Sequence, residues 1–269
     1  MAAPVLRRRR RTLARRFNPL TDTSLRAAWM RSGKLNGSAT ALANGENLAT
    51  WNDTTGNWNC TVVGGTAPTG ATVGSSIVAD PNAAGCIGTA TGAIPDDLEG
   101  TVCCIAQAPS SQVSARDFDA YVAFGLSTAT NVWGQCCLRR LAAPSLWLGF
   151  AASNAGAGFS AWISTTTQLS VNTWYRFIWV FSGGSAMRMY VNGTLQAMTM
   201  DVNTGGPTEG QWLATMTTVN NINLMGRRRS SGYDELDEGQ FDHARWYSKA
   251  LTPANVAILD AYLATVVPA

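Results

Sequence analysis

The chain has 269 residues and a formal net charge of +3, and only 14% of its residues are charged. Small and polar residues such as glycine, alanine, serine and threonine are plentiful, which is typical of a turn-rich sheet protein and disfavours a helical enzyme. No run of 18 apolar residues occurs, so the sequence predicts no membrane-spanning helix and no membrane partner.

The basic residues are concentrated at the N-terminus. Residues 1–34 contain ten of the 20 lysines and arginines but only one acidic residue, Asp22. The rest of the chain is net negative, so we predict a cationic arm, residues 1–20, on an acidic body, residues 21–269. The side chains expected to anchor this arm are Arg7, Arg8, Arg9, Arg10, Arg11, Leu13, Arg15, Arg16 and Phe17.

Two interpretations of the arm remain open. The simpler one is a solvated, disordered tail, because a segment this polar cannot bury a core of its own. The alternative is an anchor, since arginine makes two-point contacts with carboxylates and phosphates, and Leu6, Leu13 and Phe17 can fill pockets on a partner. For an anchor we expect an acidic protein surface as the partner, in preference to nucleic acid.

Residues 21–100 are rich in predicted loops, with short strands at 27–30, 61–63 and 75–79. Five strands follow at 101–106, 120–126, 133–138, 146–151 and 158–164, and their regular spacing predicts a β-sandwich. Most aromatic residues of this region are expected in the core, with one or two exposed and able to stack on a sugar ring. These aromatic residues are Phe118, Tyr121, Phe124, Trp133, Trp147, Phe150, Phe159 and Trp162.

Residues 173–193 predict the central hairpin of the fold. A strand alternates its side chains between two faces, and here both faces are apolar, as expected in the middle of a sandwich. One face carries Trp174, Arg176, Ile178 and Val180, and the other carries Tyr175, Phe177, Trp179 and Phe181. Asn192 and Gly193 both tolerate positive φ, so they predict the following hairpin turn.

The C-terminal region predicts one more strand, at 221–225, and a closing helix. Thr252 is expected to cap the helix and Pro253 to occupy its first turn. The apolar residues that repeat at helical spacing predict a buried stripe. They are Val256, Leu259, Tyr262, Leu263 and Val266.

The candidate ligand positions are few. Asp53 is expected to form a turn with its own backbone, in preference to binding a cation. The six cysteines match no zinc spacing and are interpreted as small buried hydrophobes, with a Cys60–Cys86 disulfide left open as an alternative. Asp234, Asp237 and Glu238 form an acidic run that suits either a solvated loop or a Ca²⁺ site.

The same acidic run bears on catalysis. Some glucanases carry three acids at alternate positions of one strand, but here Glu235 and Asp237 are followed by Gly239. A glycosidase needs two placed carboxylates, so the incomplete motif argues against hydrolysis. His243 is the only histidine, and no nucleophile elbow accompanies it, so the sequence predicts no enzyme.

Three ordered motifs carry a family resemblance. They are Trp174-Tyr175 followed by Tyr190-Val191-Asn192-Gly193, the segment 239–252, and an opening at 25–29 and 48–57. These three stretches of the chain resemble motifs of concanavalin A-like, laminin-G-like (LamG) domains. The resemblance implies an all-β fold, a two-sheet antiparallel jelly-roll sandwich with the basic arm and a short C-terminal helix. Lectins, glycosidases, receptors and virion proteins share this fold, so it does not decide function.

The absence of an apolar segment after the first arginines predicts that no secretory signal is present. A LamG-like domain with a basic arm then favours a phage virion protein, made in the host cytoplasm and located in the virion as a capsid decoration, head fibre or tail-associated subunit. Its expected partners are other virion proteins, host-surface glycans and further copies of itself. A stand-alone lectin-like or adhesion module is the alternative, and a glycoside hydrolase is the third.

Overall fold

The computed structural model describes residues 17–30, 43–64, 69–73, 76–80, 86–89, 94, 99–109, 118–125, 132–142, 145–154, 159–183, 187–204, 219–229, 232–234 and 239–268. Its strands, in chain order, are β1 (Leu25–Met30), β2 (Thr50–Trp51), β3 (Cys60–Gly64), β4 (Thr69–Val73), β5 (Ser76–Asp80), β6 (Cys86–Thr89), β7 (Gly100–Gln107), β8 (Phe118–Gly125), β9 (Val132–Ala142), β10 (Ser145–Asn154), β11 (Phe159–Leu169), β12 (Trp174–Phe181), β13 (Arg188–Val191), β14 (Thr194–Leu195), β15 (Met198–Thr204), β16 (Asn221–Leu224), β17 (Arg227–Arg229), β18 (Gly232–Asp234) and β19 (Phe241–Tyr247). The helix is α1 (Pro253–Ala264).

These strands form two large antiparallel sheets and one small hairpin, counted over the residues just given. The eight-stranded sheet has the order β14-β13-β12-β7-β19-β5-β4, with β1 also paired to β19. The nine-stranded sheet has the order β15-β11-β10-β9-β8-β16-β6-β3-β2, and β17 pairs with β18. The predicted all-β jelly-roll sandwich is confirmed, and every strand predicted from the sequence overlaps an observed one.

The main core lies between the two sheets and is strongly aromatic. Trp29, Trp179 and Trp246 from the eight-stranded sheet meet Phe124 and Phe150 from the nine-stranded sheet, and each of these side chains is buried. Aromatic side chains bury large apolar areas, so this layer dominates the hydrophobic stabilisation of the fold. Trp179 also crosses the core, because its Nε1 donates a hydrogen bond of 2.8 Å to the carbonyl of Gly149.

Strand β12 has the two apolar faces that its sequence predicts. Phe177, Trp179 and Phe181 lie in the core between the sheets. Ile178 and Val180 lie on the opposite face, in a second buried cluster that the helix covers. Both faces are largely apolar because the core between the sheets covers one and the helix covers the other.

The helix α1 closes the outer side of the eight-stranded sheet. Thr252 is its N-cap and accepts a hydrogen bond from the backbone N–H of Asn255, and Pro253 occupies the first turn, as predicted. Val256, Leu259 and Leu263 are buried in the second cluster. The amphipathic stripe therefore packs the helix onto the sheet, where it has a structural role.

Asp53 organises the loop that precedes β3. Its carboxylate accepts backbone hydrogen bonds from Ala28 at 2.7 Å, Thr55 at 3.0 Å, and Asn57 and Trp58 at 3.2 Å each, and a further one from the Thr55 hydroxyl. The predicted turn is confirmed, and the carboxylate also ties this turn to β1. These donors occupy the oxygens that a cation would need.

The described cysteine side chains are buried free thiols, as the sequence predicts. They are Cys60, Cys103, Cys104, Cys136 and Cys137. Cys60 stands opposite Thr89 and Cys86 stands opposite Gly64, so strand register separates the two members of the alternative Cys60–Cys86 disulfide. That alternative is wrong, because three residues of strand lie between the two positions and a disulfide requires closely approaching Cα atoms.

The described chain begins at Phe17, which belongs to the body. Its ring packs 5.8 Å from that of Tyr247, and only 8% of the residue is exposed. The carbonyl of Pro19 accepts hydrogen bonds from Arg245 and from the Tyr247 hydroxyl. The prediction that Phe17 anchors the arm on a partner is therefore wrong, because intramolecular burial already occupies this side chain.

Candidate functional site

The predicted anchor and metal residues can be located only in part. Arg7, Arg8, Arg9, Arg10, Arg11, Leu13, Arg15 and Arg16 lie outside the described residues. Asp237 and Glu238 do as well, and Asp234 is described only as a backbone position at the end of β18. The Ca²⁺ site and the docking of the arm stay predictions.

His243 lies beneath the helix. It is 2% exposed, and its Nε2 accepts a hydrogen bond of 2.9 Å from Nε of the buried Arg245. The Arg245 guanidinium also lies 4.6 Å from the Tyr262 ring and donates to the Tyr262 hydroxyl. The imidazole accepts from Arg245, and Arg245 in turn contacts Tyr262 of the helix, so His243 has a structural role.

The outward face of the nine-stranded sheet is the candidate site. On β9 the side chains of Cys136 and Leu138 point into the core, so Trp133, Gln135 and Cys137 face outward. Register places Ala151 of β10 opposite Gln135, and Trp162 of β11 opposite Ala151. Long-range strand pairing therefore assembles residues from three strands into one surface.

Strand β10 presents small residues at the centre of this surface. Gly149, Ala151 and Ser153 face outward between the larger side chains of β9 and β11. We define the β10 furrow as Ala151 and Ser153 with the flanking Trp133, Gln135, Trp147, Ser160 and Trp162. Within this set Ala151 and Gln135 are fully buried, whereas Trp147, Ser153, Ser160 and Trp162 are half-buried.

Arg139 crosses the sheet between Trp147 and Ala151 of the furrow. Its Nη1 donates a hydrogen bond of 3.3 Å to Oγ of Ser164, two strands away, so the side chain passes over Gly149. A Cβ at Gly149 would lie 3.3 Å from that of Arg139 and 3.2 Å from the carbonyl of Ile163. Glycine at position 149 therefore leaves the space that the Arg139 side chain occupies.

Three tryptophans border the furrow, and two of them remain partly exposed. Trp147 and Trp162 are half-buried, whereas Trp133 is 8% exposed. The guanidinium of Arg227 lies 3.8 Å from the centre of the Trp133 ring and is itself buried. The prediction that one or two aromatic residues of this region stay exposed is consistent with Trp147 and Trp162.

An open cavity adjoins the Trp147 end of the sheet. It is lined by Gln168, Leu169, Ser170 and Val171. Gln168 stands opposite Trp147 in register, and the backbone N–H of Ser170 donates a hydrogen bond of 2.8 Å to the Tyr175 hydroxyl. The cavity gives this end of the face additional polar groups beside an exposed indole.

Sequence reasoning missed most of this arrangement. It identifies the exposed tryptophans only as a class, and it does not single out Arg227. The alternation of β9 places Trp133, Gln135 and Arg139 on one face, and that signal was available. Which face points outward depends on pairing with distant strands.

A family model and one solved structure support the fold. A family model described as the concanavalin A-like lectin/glucanases superfamily, Laminin_G_3, matches residues 114–257. Domain 4 of AbnA, a GH43 extracellular arabinanase from Geobacillus stearothermophilus solved in complex with arabinotriose, is similar with a TM-score of 0.57 and 16% identity, over 88% of this chain and 98% of that chain. The CBM40 of the Ruminococcus gnavus IT-sialidase has a TM-score of 0.49 and 14% identity, over 61% of this chain and 84% of that chain. No curated protein matches the chain.

Proposed function

This chain belongs to the concanavalin A-like lectin/glucanases superfamily, and from that premise we propose that it is a non-catalytic glycan-binding domain whose ligand lies in the β10 furrow. One observation carries the proposal. Two half-buried tryptophans, Trp147 and Trp162, border a floor of small residues on the outward face of the sheet. An indole face is flat and apolar, and it stacks well on the apolar face of a sugar ring.

The separation of the tryptophans favours an oligosaccharide. Trp147 and Trp162 lie on neighbouring strands, and Trp162 stands level with Ala151, four residues along β10 from Trp147. At the usual strand dimensions their backbones are roughly 14 Å apart. A single sugar ring cannot stack on both, so two platforms engage different units of one chain.

The solved relatives support a binding role without deciding the ligand. Domain 4 of the Geobacillus arabinanase was solved with arabinotriose, and the Ruminococcus CBM40 was also solved with α2,3 sialyllactose. Their sequence identities to this chain are 16% and 13%. The choice of sugar therefore has to come from the residues of this chain.

A glycan array probed with the purified chain tests this proposal. We expect binding to a subset of oligosaccharides, and loss of that binding in the Trp147→Ala/Trp162→Ala double variant. Leu195→Ala is the matched control, because Leu195 is 56% exposed at the edge of the other sheet. Failure of the wild-type chain to bind any glycan, or equal binding by the double variant, contradicts the proposal.

We also propose that the domain is displayed on a virion through its basic arm. The body begins at Phe17, in the cluster beneath α1, and the β10 furrow lies on the outward face of the other sheet. Residues 1–16 therefore precede a point on the opposite side of the sandwich from the furrow. Because the arm and the furrow lie on opposite sides of the sandwich, the arm can attach to one partner while the furrow faces another.

Removal of residues 1–16 tests the virion proposal, and the deletion stops before Phe17 so that the buried contacts remain. We expect the truncated chain to keep its melting temperature and its glycan binding but to be missing from virions purified from producing cells. Mass spectrometry of those particles measures its occupancy. Wild-type occupancy of the truncated chain, or absence of the full chain from the particles, contradicts the proposal.

A further inference from the structure

Gln135 carries a fully buried side chain whose amide is unpaired. Its exposed fraction is 0%, and neither Nε2 nor Oε1 has a hydrogen-bond partner among the described residues. Buried polar atoms in native proteins are almost always paired, and an unpaired one costs stability. The exception calls for a partner that the described part of the chain does not supply.

Among the described residues, the neighbours of Gln135 on its own face offer few groups that could pair with its amide. Trp133 and Cys137 flank it along β9, and Ala123 and Ala151 stand opposite it on β8 and β10. Methyl groups form no hydrogen bonds, a thiol forms weak ones, and an indole has a single N–H donor. The amide therefore lies inside an apolar collar at one side of the β10 furrow.

Asn223 repeats the feature one strand farther along the sheet. It stands opposite Ala123 on β16, and its Nδ2 donates a hydrogen bond of 2.6 Å to Oδ1 of Asn221. Its own Oδ1 is buried and unpaired within the described part of the chain. Two carboxamides thus flank Ala123, with one free amino group and two free carbonyl oxygens between them.

This set of groups fits neighbouring hydroxyls of a sugar. A hydroxyl both donates and accepts, so one hydroxyl can donate to a carboxamide oxygen while its neighbour accepts from Nε2 of Gln135. The carboxamides are neutral, which suits an uncharged sugar unit. Ala123 stands between the two carboxamide residues in register, and its side chain is small and fully buried.

We propose that Gln135 and Asn223 determine the glycan specificity of the furrow by binding adjacent free hydroxyl groups of a neutral sugar unit above Ala123. This inference rests on the proposed glycan-binding function. Trp162 is half-buried and packs against Trp133, Cys137 and Ala151 beside Gln135, so rotation of its indole would open this side of the collar. Rotation of a partly exposed side chain is fast and needs no change in the sheet.

The substitution Gln135→Leu separates a binding role from a structural one. Leucine removes the unpaired amide but keeps a similar volume, so we expect the melting temperature to stay unchanged or to rise. Affinity for the strongest neutral oligosaccharide found on the glycan array should fall at least about tenfold, because its hydroxyls lose their partners. The same oligosaccharide with its hydroxyls methylated should bind the wild-type chain as weakly as the intact sugar binds the variant.

Gln107→Leu is the matched control. Gln107 lies on β7 of the other sheet, and its Nε2 already donates a hydrogen bond of 3.3 Å to the carbonyl of Asn172. We expect this variant to bind the oligosaccharide with wild-type affinity. The control shows that the substitution type alone does not weaken binding.

The outcomes separate the inference from the function on which it rests. Wild-type affinity in Gln135→Leu, a marked fall in its melting temperature, or tight binding of the methylated sugar overturns the inference while glycan binding stands. If the wild-type chain binds only charged glycans, the inference is also overturned. If it binds none at all, both the proposed function and the inference fail.

Discussion

Arg176 and Asp260 form a two-point ion pair that ties the central strand to the helix. Nε of Arg176 lies 2.7 Å from Oδ1 of Asp260, and Nη2 lies 3.1 Å from Oδ2. The turn after β13 closes against the same carboxylate, because a Cβ at Gly193 would lie 2.7 Å from Oδ2. Strand, turn and helix therefore meet at one partly buried carboxylate.

The first prediction concerns Gly193, whose φ is +76°. Gly193→Ala should lower the free energy of unfolding by more than the ~1 kcal/mol expected for alanine in the left-handed region, because the new methyl also displaces Asp260. Gly45→Ala is the control, since Gly45 has φ of +77° but a Cβ added there would meet nothing within 4 Å. Urea unfolding of both variants measures the difference, and equal losses would contradict the close contact.

The second prediction concerns Trp179, which joins the two sheets. Trp179→Ala should lower the free energy of unfolding by about 3–5 kcal/mol, as expected for a buried aromatic side chain. Trp174→Ala should cost less, because Trp174 is only half-buried beside the helix. Chemical denaturation measures both, and an equal or larger loss in Trp174→Ala would show that the core is assigned to the wrong face of β12.

The third prediction concerns acid stability and the segment after Phe17. Burial alone raises the pKa of Asp22, but hydrogen bonds from Lys249, at 2.7 Å, and from Ser24 bring it below its ordinary value of 3.8. A lowered pKa in the folded state contributes stability at neutral pH that is lost as the pH falls below 3.8.

The substitution Asp22→Asn tests this contribution. We expect wild type to melt at a higher temperature than Asp22→Asn at neutral pH, and the difference to shrink as the pH falls below 3.8. Thermal unfolding followed at a series of pH values measures it. A difference that is constant with pH would mean that the Asp22–Lys249 pair contributes nothing through ionisation.

The fourth prediction concerns Cys103. Burial raises the pKa of its thiol to about 12, although the nearby Arg245 opposes this effect. The thiolate is the reactive form, so Cys103 should resist iodoacetamide at about pH 8 in the folded protein and react after unfolding in guanidinium. Because the folded pKa lies above the ordinary value of 9.0, stability should fall as the pH rises above 9.0. Mass spectrometry of the alkylated peptides measures the reactivity of Cys103, and equal rates in the folded and unfolded protein would contradict the expected resistance.

Local chemistry made much of the fold predictable. The alternation of β12, the Asn192-Gly193 turn and the Thr252 cap depend on residues close together in sequence, and the structure has all three. Asn192 has φ of 48°, in the left-handed region that the turn requires. Such features are decided by backbone geometry and side-chain spacing, which a sequence states directly.

The candidate site was less predictable because it depends on long-range pairing. Gln135, Ala151 and Trp162 become neighbours only when β9, β10 and β11 adopt one register. A shift of one residue would move each of these side chains to the opposite face. The burial of Phe17 likewise depends on a contact with Tyr247, which lies near the other end of the chain. In the local sequence, Phe17 is only an apolar residue close to several arginines.

The central claim is that the glycan lies in the β10 furrow, and oxidative footprinting of tryptophan side chains tests it most directly. We predict that the bound oligosaccharide protects Trp147 and Trp162 from hydroxyl-radical oxidation. Trp174, which is also half-buried but lies beside the helix on the other sheet, should oxidise at the same rate with and without ligand. Unchanged oxidation of Trp147 and Trp162 at saturating glycan would contradict the account.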